Sequence, residues 1–320
     1  MEYEPHSYVW TFTGLYNVDM GGHDQVELGA GFFLSKPTPS LLSVRSRVDL
    51  SGRQFDEMEA VHCFLIHRES LPLLRGPERY KKIERFQNGL MALQILKPLA
   101  TFGFIFQGAE QAKERLNLET TCQRTPMNPG EWARMRPLDS QLISQLPHLI
   151  PKVLGVMRGK DVERKNAIFL LQHSLEHHHP LLAGLFAVMG MEALFDSQDR
   201  EQFRNRLCDC LGPTTLAFPD WKPDSSIPRP TYSVGEIAIH LYTLRSKISH
   251  GVDLRQAAND RKYPIDLLKR VSLVPSLPER QYAVLLSEAA LYLLCQVLQR
   301  KIWCPGASSG QTTTLNRPRV

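Results

Sequence analysis

Over roughly the first 70 residues, apolar and polar positions alternate in short runs rich in aromatic and β-branched side chains, the period of half-buried strands. The runs are Tyr8–Val18, Val26–Ser35, Leu42–Leu50 and Ala60–His67. Turn clusters split them, among them Met20-Gly21-Gly22-His23-Asp24 and Lys36-Pro37-Thr38-Pro39-Ser40. The spacing predicts an antiparallel sheet. A helix is expected over Glu78–Leu96, then a strand over Phe102–Phe106.

A stretch holding proline and glycine, Gln123–Gly130, and then Arg136-Pro137 mark the expected junction. Beyond it the period becomes helical, over Leu138–Arg158, Asp161–His177, Pro180–Phe195, Arg200–Leu211, Ser233–Ser249 and Pro278–Ile302. Asp161 suits an N-cap and Pro180 a first helical turn. Prolines at 213, 219, 223, 228 and 230 predict a long irregular loop over Gly212–Tyr232. The fold class is therefore α+β: a β-rich N-terminal domain over 1–135, an all-α bundle over 136–304 and a disordered polar tail over 305–320. No internal repeat is present.

Hydrophobic residues are 42% and charged residues 22% of the 320, so sizeable cores can be buried. A net charge of +5 permits an anionic partner without coating the surface for one. The opening MEYEPHSYVW has neither a basic nor an apolar signal region. Pro180–Phe195 is too short to span a bilayer, and Gln281–Leu298 carries Glu288 and two glutamines. Both read as buried helices, and the expected location is cytoplasmic, without membrane contact. Cysteines at 63, 122, 208, 210, 295 and 304 make no CxxC pattern, which fits reduced thiols. Cys208 and Cys210 point about 200° apart on one helix and cannot share a metal.

The chemistry gathers at Leu244-Arg245-Ser246-Lys247-Ile248-Ser249-His250-Gly251. Val234, Ile237, Leu241, Leu244 and Ile248 form an apolar stripe at 3, 4, 3, 4 spacing, so their helix packs along its length. Arg245 lies about 40° from Leu241, on the flank of that stripe. His250 is five residues on, about 140° around, so the two do not share a face of a continuing helix. Either the helix ends near Ser249, with Gly251 as C′ residue and His250 swinging back, or a second subunit completes the site. Glu192 is the one charged residue between Pro180 and Phe195. A buried carboxylate needs a basic partner, and Arg245 is the best candidate.

Met191-Glu192-Ala193-Leu194-Phe195, followed by Tyr242-x-Leu-Arg-Ser-Lys-x-x-His250-Gly, resembles the HEPN superfamily and its ApeA-like branch, over residues 180 to 300. The resemblance implies a dimer of helical bundles whose cleft combines both copies of an Arg-x4-His motif. It implies a metal-free, cofactor-free endoribonuclease in which Arg245 holds the scissile phosphate and His250 moves protons, with Ser246 the small polar residue after the arginine. The branch includes bacterial anti-phage effectors that cut RNA, and RNA is the implied partner. A non-catalytic HEPN module for dimerisation or ligand binding is the alternative. The N-terminal half would then sense a trigger or select substrate.

Other patterns carry less. Arg245 and His250 also fit a structural ion pair and a cation at a helix C-terminus. His173, His177, His178 and His179 include a spacing that can bind zinc, but no third ligand is identifiable, so a solvated helix end is expected and no metal. Gly306-Ala307-Ser308-Ser309-Gly310 lacks the strand and helix of a nucleophile elbow. Gly29-Ala30-Gly31 lacks a third glycine and a following helix. Tyr8, Trp10, Phe12, Tyr16, Phe32 and Phe33 are expected to pack a sheet core. Arg75, Arg79, Lys81, Lys82 and Arg85, interleaved with Glu78 and Glu84, are expected on a solvated helix face.

Overall fold

A computed structural model of the chain describes residues 8–42, 52–70, 77–111, 115–127, 137–177, 179–217, 232–249 and 279–303. The strands among them are β1 (Tyr8–Leu15), β2 (Gln25–Gly29), β3 (Phe32–Ser35), β4 (Cys63–Ser70), β5 (Phe104–Gln111) and β6 (Arg115–Gln123). They form one antiparallel sheet in the order β2-β3-β4-β1-β5-β6. At its centre β1 pairs with β4 from Tyr8↔Ser70 to Leu15↔Cys63.

Both faces of this sheet are apolar, and the two-residue period sorts them. Leu28, Phe32, Leu34, Cys63, Leu65 and Ile105 enter the main core. Phe12, Phe33, Phe64, Ile66 and Phe106 enter a second, smaller core. That second core is closed by Leu41 of α1 (Pro39–Leu42) and Met58 of α2 (Gly52–Glu59). Of the aromatic residues expected to pack, Phe12, Phe32 and Phe33 are buried, and the Trp10 ring meets Phe33 edge-on at 5.8 Å. Tyr16 donates its hydroxyl to the Glu57 carbonyl at 2.8 Å.

Several strand expectations shift. Val26–Ser35 is two strands: Gly29, Ala30 and Gly31 take φ of 78°, 54° and 83° and turn the chain into a hairpin. A Cβ on Gly31 would also lie 2.7 Å from the Arg68 carbonyl oxygen, so glycine is required there twice over. The strand expected from Ala60 begins at Cys63, and the one expected over Phe102–Phe106 is Phe104–Gln111. Leu42 closes helix α1 rather than opening a strand, because Pro39 starts a helical turn there; residues 43–50 of that expected strand lie outside the described residues. β6 was not expected. Its RLNLETTCQ is too polar to stand out, and a hairpin with β5 is what makes it a strand.

The helices follow the sequence pattern closely. They are α3 (Pro77–Leu96), α4 (Ser140–Ile143), α5 (Leu146–Arg158), α6 (Val162–Glu176), α7 (Pro180–Phe195), α8 (Arg200–Leu211), α9 (Val234–Ser249) and α10 (Glu279–Trp303). The expected helix over Leu138–Arg158 is broken, because Pro147 supplies no N–H and restarts the helix as α5. Asp161 caps α6, accepting from the Arg164 amide at 3.0 Å. Ser233 and Glu236 cap α9 reciprocally: Glu236 Oε2 accepts from the Ser233 amide at 2.8 Å, and Ser233 Oγ accepts from the Glu236 amide at 3.3 Å.

The main core is continuous. It runs from one sheet face through α3 and α5 into α6–α10, across the junction expected near residue 135. Backbone ties reinforce that crossing: the Asp19 amide donates to Leu138 O, and the Leu138 amide to Asn17 O, both at 2.9 Å. Among the described residues no single helix is long and apolar enough to cross a membrane.

Candidate functional site

The apolar stripe of α9 sets the site's position. Val234, Ile237, Leu241 and Leu244 are buried against neighbouring helices, while the Ile248 side chain lies outside the described residues. Burying this stripe leaves Arg245 on its flank, facing the last turn of α7. There Nε of Arg245 donates to Glu192 Oε2 at 2.8 Å. The lone carboxylate of this apolar helix thus meets its expected basic partner in space.

The pair is only partly enclosed, with Glu192 at 11% and Arg245 at 32% side-chain exposure. Burial pushes the Glu192 carboxyl above its ordinary range, and the Arg245 guanidinium beside it pulls the other way. Among the described residues the Nε bond to Glu192 is the hydrogen bond Arg245 makes, and the two terminal nitrogens of its fork make none there. Tyr242, one turn earlier on α9, lies under the guanidinium at 5.7 Å and donates its hydroxyl to the Gln198 carbonyl at 3.3 Å. Phe203 of α8 backs the Tyr242 ring at 5.7 Å. Ser246 is half-buried beside Arg245. His250 and Gly251 lie outside the described residues.

Tyr242 entered the sequence reading only as part of the motif, without a place in the site. Its signal was available: an aromatic three residues before an arginine on one helix shares that arginine's face.

The α7 surface leading to Glu192 is apolar and not fully covered. Leu182, Leu185, Phe186 and Ala193 are half-buried and Met189 is exposed, with Phe169 of α6 exposed nearby at 56%. The histidines expected as a cluster serve this surface. His177 stacks on Phe186 at 5.0 Å, and His173 sits between Phe169 at 4.3 Å and Phe186 at 5.6 Å. His179 is exposed at the start of α7, and His178 lies outside the described residues. Among the described residues no group of three metal-ligating side chains comes together.

A second charged group sits on the sheet. Arg85 and Lys82 of α3 reach Glu69 of β4 at 2.7 and 3.6 Å, so part of the basic face expected in solvent turns inward. His67, two residues from Glu69 on the same face, is buried and stacks on Phe32 at 4.2 Å. Burial lowers its pKa to about 4; Glu69 opposes that shift, and Arg85 and Lys82 add to it.

No protein-family model, no curated protein and no solved structure matches this chain.

Proposed function

We propose that the chain is a metal-independent endoribonuclease of the HEPN type, acting on RNA as a homodimer and serving as a cytoplasmic anti-phage effector in bacteria. One observation carries the reading. Arg245 is held through Nε by Glu192 at a partly exposed position, and its terminal nitrogens make no hydrogen bond among the described residues. A guanidinium oriented this way can hold two non-bridging oxygens of a phosphodiester. The imidazole of His250 would take the proton from the ribose 2′-OH or give one to the departing 5′-oxygen. Attack of the 2′-oxygen on phosphorus breaks the P–O5′ bond and leaves a 2′,3′-cyclic phosphate and a 5′-OH. Ser246 lines the same turn.

The uncovered apolar strip of α7 supports dimerisation through the bundle, because it ends at Glu192 and a partner seated there would stand beside Arg245. The test is incubation of purified protein with total RNA and mapping of product ends. Cyclic phosphate and 5′-OH ends are expected from the wild type, with losses of about 100-fold or more in Arg245→Ala and His250→Ala. Unchanged cleavage by both variants rejects the assignment.

The same ion pair also favours a second reading, since it ties α7 to α9 whether or not a phosphate ever binds. A non-catalytic HEPN module of that kind would form the dimer and release no product from any RNA.

A further inference from the structure

Among the described residues the sheet ends in β2, which pairs there with β3 alone. The Lys36 amide donates to Asp24 O at 2.9 Å, and the register continues as Gln25↔Ser35, Val26↔Leu34 and Glu27↔Phe33. Hydrogen-bonded pairs alternate along an antiparallel ladder, so Val26 turns its N–H and C=O toward β3. Those of Gln25 and Glu27 point outward, to the open edge. Across a cleft of about 380 Å³ stand Ser140, Ile143 and Ser144 of the α4 region. Met20 and Ile143, at 4% and 3% exposure, give the cleft an apolar floor. Gln25 and Glu27 form its exposed polar rim. A strand edge of this kind is a template for one more extended segment.

We propose that the occupant is the chain's own C-terminal segment, with Gln311-Thr312-Thr313-Thr314-Leu315 adding to β2 as a further strand. The place where that segment starts is the first support. α10 ends at Trp303, whose carbonyl accepts from Lys152 Nζ on α5 at 3.3 Å. Lys152 is about 9 Å along α5 from Leu146, where α5 begins next to α4. The eight steps from Trp303 to Gln311 span up to about 28 Å when extended, roughly three times that length of α5.

The residues themselves are the second support. Three β-branched threonines and a leucine suit a strand, and Pro318 ends it. Alternation puts Thr313 and Leu315 on one side, where Leu315 meets the Met20–Ile143 floor. Charge is the third. Arg317 and Arg319 follow the strand, and the rim offers the exposed Glu27 carboxylate, which has no ion pair among the described residues.

Hydrogen exchange at the Gln25 and Glu27 amides tests this, read by mass spectrometry on the full chain and on a chain ending at residue 310. Exchange about tenfold slower or more is expected in the full chain, and fast exchange in the shortened one. A synthetic peptide of residues 308–320 added to the shortened chain should restore the slow rate. Thr313→Pro, which keeps the full length, should release protection as truncation does. Equal exchange in full and shortened chains overturns the proposal. So does protection that survives truncation and grows with protein concentration, which would mean that two copies pair edge to edge. None of these outcomes depends on the ribonuclease reading.

Discussion

Glu192 and Arg245 are 53 positions apart in the chain and 2.8 Å apart in the fold. The contact joins the final turn of α7 to that of α9. It fixes the position of the guanidinium, because a half-buried carboxylate holds its Nε.

The strength of that tie is measurable. A double-mutant cycle on Glu192→Ala and Arg245→Ala, read by urea unfolding, should give a coupling of about 1–2 kcal/mol, above that of exposed pairs. Additive effects would mean that the carboxylate does not position the arginine.

Whether the histidine meets its own arginine or a partner's can be decided by mixing. If the site forms across a twofold axis, co-refolded Arg245→Ala and His250→Ala chains should recover about a quarter of wild-type cleavage. Half of the dimers are then mixed, and each mixed dimer has one intact site of two. If each chain builds its own site, the mixture should stay as inactive as its components.

The sheet should be acid-sensitive through His67. Its folded pKa, about 4, lies below the unfolded value near 6.5. The folded state therefore binds fewer protons between those values, and stability falls as pH drops from 6.5 toward 4. The loss attributable to His67 reaches up to about 3 kcal/mol. Urea midpoints at pH 7.5 and 4.5 should differ less for His67→Gln than for the wild type. An equal difference in both would assign the acid sensitivity to other groups.

Gly31 should not accept a side chain. With φ of 83° and the Arg68 carbonyl in the way, Gly31→Ala should cost about 1–3 kcal/mol in thermal or urea unfolding, whereas the exposed Gly22, with no neighbour within 4 Å, should tolerate alanine. A Gly31→Ala protein as stable as the wild type would contradict the hairpin geometry.

Helices α6 to α10 were legible in the sequence to within a residue or two, whereas the helix expected over Leu138–Arg158 divided at Pro147. Pro180–Phe195 and Arg200–Leu211 match their helices end for end, because proline, aspartate and glycine punctuate them locally. The Glu192–Arg245 pair was legible for an energetic reason: an isolated carboxylate on an apolar helix demands a cation. The sheet was less so. A strand's identity depends on its partner, so RLNLETTCQ became β6 only through β5, and the basic run of α3 turned inward only because Glu69 waits across the sheet.

By itself the chain determined helices α3 and α6 to α10, that an antiparallel sheet lies in the first half, and that Glu192 needs a basic partner. Those are properties of local periodicity and residue type. Tertiary structure alone decided that one core runs through both halves, that the sheet buries both of its faces, and that no described strand covers the edge of β2. Such relationships are set by how distant surfaces pack, and short-range patterns of polarity do not encode them.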